Sequence, residues 1–228
     1  GDSPALARTG FLLTPHGDFP FPVFKRIRPG QTQTTRPMAR EHPANNAVYL
    51  LPGRGNRLRD LGDPITHLGF DVYGRELAPP FARLRFAEQI RLIQHDLAAA
   101  FWHTGAPLIG HSYGAYLLLH ALADREPFPG RILLFAPVLG EATDLKRFYV
   151  SRPPRADQLM HLAATHAFPP PHSLELHTGA LDDGCAPALA TQWSSLIPGA
   201  RLVLVPDQGH QLASAYVRRV LAQFLQAA

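Results

Sequence analysis

Apolar residues in this chain fall into two alternating rhythms: short runs of four or five, and longer stretches with a stripe at helical spacing. The short runs are Ala47-Val48-Tyr49-Leu50-Leu51, Ala106 to Ile109, Ile132-Leu133-Leu134-Phe135, Leu174-Glu175-Leu176-His177 and Leu202-Val203-Leu204-Val205. The uninterrupted runs Ala47 to Leu51 and Ile132 to Phe135 predict strands buried on both faces of a sheet, and the others read as strands as well. Phe70 to Gly74 is a further strand candidate. Between them, Phe86, Ile90, Ile93, Leu97 and Phe101 repeat along one face, with Arg83, Arg85, Glu88, Arg91 and Asp96 on the other, which predicts a helix from Phe81 to Phe101. Asp63-Pro64 reads as N-cap and first residue of a short helix reaching Leu68. Another helix passes through Leu189, Trp193 and Leu196, and a closing one from about Leu212 to Leu225 carries Leu212, Tyr216, Val220 and Phe224 in one stripe. This alternation predicts an α/β class: a doubly wound, mostly parallel central sheet with helices on both faces.

Two regions break the rhythm. Residues 1 to 46 hold two short strand candidates, Gly10 to Leu13 and Val23 to Arg28, read as an edge hairpin, and a polar Gln31 to Thr35 stretch read as a connector. Val138 to Pro171, with a helical piece over Ala156 to Ala167, interrupts the later alternation. It is too small for a domain, so the expectation is a single domain over residues 1–228 with a short lid insertion at 138–171.

Composition narrows the classes. At 228 residues, 46% hydrophobic and 18% charged, the chain fits one folded domain with a sizeable core. The net charge of +4 comes from scattered Lys and Arg without a long basic run, which argues against a nucleic-acid partner. A single cysteine, Cys185, excludes an internal disulfide. No apolar stretch has membrane-spanning length. The opening Gly1-Asp2-Ser3-Pro4 lacks a basic-then-apolar signal pattern, so a cytoplasmic location is expected, though Gly in the first position also suits a trimmed chain that has lost an export signal. Oligomeric state is open.

The chemistry centres on Gly110-His111-Ser112-Tyr113-Gly114, set between an apolar run and the apolar, Gly-free stretch Ala115 to Leu122. A strand, a tight turn and a buried helix in that order would push Ser112 out at the sheet edge, where helix N–H groups favour a developing negative charge. A serine hydroxyl needs a base, and histidine, with an unperturbed pKa of about 6.5, can take and return a proton. His210 follows the last strand through Pro206-Asp207-Gln208-Gly209, so it and Ser112 would leave the same edge of a parallel sheet. Asp182 and Asp183 follow the preceding strand, where either could orient the imidazole. Of the other histidines, His16, His42 and His67 sit in loop or turn contexts, His120 suits a hydrogen-bonded core role, and His111 is expected to point away from the nucleophile. Pro52-Gly53-Arg54-Gly55-Asn56 after a central strand is a candidate for backbone N–H donors facing a ligand, Arg54 above all. No paired Cys motif or His-Glu-x-x-His is present, so no metal and no cofactor are expected.

Serine, acid and histidine in that chain order, each just after a strand, resemble the α/β-hydrolase fold family from about Ala47 onward. Gly110 to Gly114 and Asp207-Gln208-Gly209-His210 look like its nucleophile and histidine segments, and Gly179-Ala180-Leu181-Asp182 like its acid segment, which favours Asp182 over Asp183. The resemblance implies an oxyanion hole from the N–H groups of Tyr113 and Arg54, and a serine hydrolase acting on a small-molecule ester or thioester. Pro52-Gly53 replaces the family's usual His-Gly pair, and Glu141 or Asp144 is an outside candidate for the acid. Alternatives are an acyltransferase or peptidase with the same triad, or a binding protein that keeps the fold without turnover. Phe148, Tyr149 and Trp193 are candidates for an acyl pocket. Arg54, Arg57, Lys146, Arg147, Arg152 and Arg155 would favour anionic substrates if they converge, and otherwise serve solubility.

Overall fold

The apolar runs become the middle of one sheet. The computed structural model describes residues 25–28, 30, 34–35, 46–141 and 152–227. Within these residues the strands are β1 (Lys25–Ile27), β2 (Thr34–Thr35), β3 (Ala47–Leu51), β4 (Asp71–Gly74), β5 (Pro107–His111), β6 (Arg131–Phe135), β7 (Ser173–Gly179) and β8 (Ala200–Val205). Their order is β2-β1-β4-β3-β5-β6-β7-β8. β1 pairs antiparallel with β2 and β4, and all later pairings are parallel. Every residue of β3 is buried, as a strand covered on both faces must be.

The helices are α1 (Leu58–His67), α2 (Phe86–Ala100), α3 (Tyr113–Ala123), α4 (Gln158–Ala164), α5 (Pro187–Leu196) and α6 (Ser214–Gln226). They divide between the faces. Ile93 and Leu97 of α2, all of the apolar residues of α3, and Leu159 and Trp193 of α4 and α5 join one core. Leu58 and Ile65 of α1 and Val220, Leu221 and Phe224 of α6 join the other. α3 is the central prop, and all eleven of its residues are buried.

Local chemistry corrects three expected boundaries. α1 begins at Leu58 rather than at Pro64, because the Asp60 carboxylate accepts from the Arg57 N–H (2.8 Å) and Glu76 accepts from the Leu58 N–H (2.9 Å). Capping satisfies the donors that a first turn leaves free, and Pro64 is carried in the interior. The 81–101 stretch splits into a 3-10 turn (Phe81–Arg83) and α2, because Arg85 is extended and its N–H donates to Glu88 (2.9 Å). The Thr34–Thr35 segment, expected as connector, pairs antiparallel with β1, a role that the strand propensity of threonine suits. The Gly10 to Leu13 candidate lies outside the described residues.

Strand order fixes where a site belongs. From β3 the chain steps to β4 on one side, and the next strand, β5, lies on the other. A crevice opens at the carboxyl ends where the order reverses. Leu51 at the end of β3 is in register with Gly110 of β5, so Pro52-Gly53-Arg54 and His111-Ser112 emerge side by side.

Candidate active site

Ser112 alone joins β5 to α3, at φ 51° and ψ −119°. Positive φ is uncommon for a residue with a Cβ and marks a constrained turn. The constraint is visible: the Ser112 N–H donates to the Phe135 carbonyl (2.9 Å), and the Ser112 carbonyl accepts from Val138 (3.1 Å). Gly114 makes the turn possible, since a Cβ there would fall 2.3 Å from the carbonyl oxygens of Leu51 and Pro52. The helix start therefore abuts the end of β3. Tyr113, first in the helix, has no intrahelical acceptor for its N–H. The Pro52-Gly53-Arg54 turn packs on the same serine, with a Cβ built on Gly53 lying 3.1 Å from Ser112 Cβ. The Arg54 guanidinium lies 4.1 Å over the Tyr113 ring.

His210 reaches this point from the far side of the sheet. Its Nε2 is 2.9 Å from Ser112 Oγ, and its Nδ1 is 3.0 Å from Asp182 Oδ2. With the Nδ1 proton donated to Asp182, Nε2 is left to accept the serine hydroxyl. The Asp182 side chain is fully buried, and its Oδ1 accepts the N–H groups of Gly184 (2.9 Å) and Cys185 (2.8 Å). Those amides hold the carboxylate without a neutralising charge.

Sequence reasoning did not show how the acid and histidine loops are clamped. Gly179 admits the clamp, because a Cβ would meet the Gly209 and Gln208 carbonyl oxygens at 2.2 and 2.3 Å. The Gln208 carbonyl accepts from Leu181 (2.9 Å), while its side-chain Oε1 accepts from Ala213 (2.6 Å) at the start of α6. Gln208 thus ties His210 both to the acid loop and to the closing helix.

His111 is also closer than expected. Its ring centroid is 6.1 Å from that of His210, and Asn56 Nδ2 is 3.2 Å from its Nδ1, which accepts. Burial first and the neighbouring His210 second push its pKa down to about 4, against a smaller upward pull from Asp182. A neutral His111 presents no fixed positive charge to an imidazolium forming on His210. The contact with Asn56, across the turn after β3, joins residues 55 apart and leaves no local pattern.

Other candidates lie elsewhere. Trp193 is fully buried, its Nε1 donates to the Leu159 carbonyl (3.1 Å), and its ring meets Phe168 edge-on, so it fills the α4–α5 seam rather than a pocket. The hollow beside the site is lined by Pro137, Val138, Gly140, Glu141, Cys185 and Leu189, among others. Glu141 pairs with Arg152 (2.7 Å), which also binds Asp157 (2.8 Å). Arg155 lies over Phe86. Arg155 and Arg54 sit at opposite ends of one aromatic row, Phe86-Tyr116-Tyr113. Asp144, Lys146, Arg147, Phe148 and Tyr149 lie outside the described residues. His120 is buried, but its Nε2 has no hydrogen-bond partner among the described residues; it meets Tyr116 and Phe86 edge-on instead, and burial lowers its pKa to about 4.

No protein-family model and no curated protein matches the chain. Solved structures do. An α/β-hydrolase enzyme, MGS-MChE2, from a lagoon-sediment metagenome superposes with a TM-score of 0.55 over 82% of this chain and 90% of its own, at 16% identity. The chain has the α/β-hydrolase fold. A monoacylglycerol lipase from Paleococcus ferrophilus has the same fold (TM-score 0.57, 14% identity, 82% of this chain and 96% of that one). The carboxylesterase CesB from Bacillus subtilis has it too (TM-score 0.56, 14% identity, 83% and 86%). No described helix is long and apolar enough to cross a membrane.

Proposed function

We propose that this protein is a serine hydrolase that cleaves carboxylic esters or thioesters of small molecules through an acyl-enzyme. The observation that carries the reading is the unbroken line from Ser112 Oγ to His210 Nε2 (2.9 Å) and from His210 Nδ1 to Asp182 (3.0 Å). Ser112 attacks the carbonyl carbon while His210 takes its proton, and Asp182 stabilises the imidazolium and holds its tautomer. The N–H groups of Tyr113 and Arg54 receive the oxyanion, since one heads a helix and the other lies in the turn packed on Ser112. Collapse expels the alcohol or thiol with the proton from His210. Water then attacks the acyl-serine with His210 again as base, and serine is regenerated. Nothing in this cycle calls for a cofactor. The names of the structural neighbours, a lipase and a carboxylesterase among them, support the ester class. The hollow bordered by Val138 adjoins Ser112, whose backbone carbonyl accepts the Val138 N–H (3.1 Å), but at about 10 Å³ it has room for little more than a water molecule.

A series of nitrophenyl esters and acyl thioesters of increasing chain length tests the reading, on the wild type and Ser112→Ala. Turnover is expected in the wild type, with a loss on the order of a thousandfold or more in the variant. Equal turnover in both, or saturable binding with no product, would overturn it.

A further inference from the structure

At the acid end of the site a third side chain joins two of the residues described above. The Sγ of Cys185, a carboxylate oxygen of Asp182 and a ring nitrogen of His210 all lie within 4.8 Å of one another. Around tetrahedral zinc, with bonds of about 2.0 Å to N and O and about 2.3 Å to S, such atoms stand roughly 3.3–3.5 Å apart, so side-chain rotations of about an ångström would close the set. One nitrogen, one oxygen and one sulfur suit zinc or another thiophilic divalent ion, not magnesium or calcium, which take oxygen. Charge matches as well: an aspartate and a thiolate balance a divalent cation. Asp182 and Cys185 are 4% and 7% exposed, so the ion would sit in a medium that strengthens its attraction to both. Cys185 also lines the small hollow between Pro137–Glu141 and Gly184–Ala186.

We propose that Asp182, Cys185 and His210 form a binding site for Zn2+ or a similar thiophilic divalent cation, and that its occupancy switches off hydrolysis. The binding stands on the donor cluster alone; the inhibition rests on the serine-hydrolase reading above. The Cys185 thiol proton passes to solvent as the sulfur–metal bond forms, and water completes the coordination. With a ring nitrogen on the metal, His210 no longer both hydrogen-bonds Asp182 and accepts from Ser112.

Cobalt(II), a spectroscopic stand-in for zinc, tests the site in the full chain. One ion per chain is expected, with a thiolate-to-cobalt charge-transfer band that zinc abolishes by competition. The band should be missing in Cys185→Ala and in Cys185→Ser, both of which keep the backbone N–H bound to Asp182. No stoichiometric uptake, or a band unchanged by either substitution in a protein with wild-type circular dichroism, would overturn the site. Wild-type ester turnover should fall to background in saturating zinc and return with a chelator, while each variant keeps the turnover it has without zinc. Zinc that binds and leaves turnover intact would overturn the inhibition. A metal-free chain that hydrolyses no ester would instead sink the serine-hydrolase reading, and the cobalt spectrum would still decide the site.

Discussion

Two buried carboxylates, Asp96 and Asp182, are shielded from water alike and satisfied in different ways. Asp96 on α2 takes a two-pronged bond from the Arg75 guanidinium (2.5 and 2.7 Å) and the hydroxyl of Tyr49 (2.7 Å). Burial raises its pKa, and Arg75 opposes the rise. A formal cation already balances it, so it has little left to offer another group. Asp182 is held by two backbone amides and faces His210. Amides lend polarity without a whole charge, which leaves the aspartate free to stabilise a cation that comes and goes. The fixed guanidinium makes a strut between α2 and the sheet. The amide cradle makes a carboxylate that can work.

The sharpest way to break this contrast is to neutralise each acid in turn. Asp182→Asn keeps the shape and is expected to lower kcat on the order of ten-thousandfold, with little change in melting temperature. A variant that stays active, or that unfolds, would place Asp182 with Asp96. Asp96→Ala should do the opposite: it strands a buried guanidinium and costs about 3–5 kcal/mol of stability in denaturant titrations, while turnover per folded molecule stays near wild type. A stable but inactive Asp96→Ala would contradict the division.

A smaller effect extends the comparison to buried bases. His111 and His120 both have folded pKa values of about 4. An unfolded histidine titrates near 6.5, so between roughly pH 4 and 6.5 the unfolded chain binds protons that the folded chain refuses. Stability therefore rises with pH across that window, by on the order of 3 kcal/mol for each histidine, and these two contribute no slope above it. Chemical denaturation at several pH values should show the slope, and His120→Leu should reduce it. An unchanged slope in that variant would mean that His120 is protonated within the fold.

How much of this was legible depended on whether the cause was local. Strands such as β3 declared themselves because burial on both faces leaves an uninterrupted apolar run. The nearness of Ser112 and His210 follows from parallel strands that all end at one edge. Helix starts were misread where the cap came from a side chain rather than from the residue type at the boundary, as with Asp60 and Glu76 at α1. Trp193 looked like a pocket residue because an aromatic carries no mark of which side of a helix seam it fills. The Asn56–His111 contact and the bond from the Leu181 N–H to the Gln208 carbonyl join distant segments, and nothing near those residues announces them.

The most direct measurement is the site of reaction with a fluorophosphonate, located by mass spectrometry of the labelled chain. The account predicts one adduct, on Ser112, lost in Ser112→Ala and greatly slowed in His210→Ala. An adduct on another residue, or labelling of Ser112 at the same rate without His210, would contradict it.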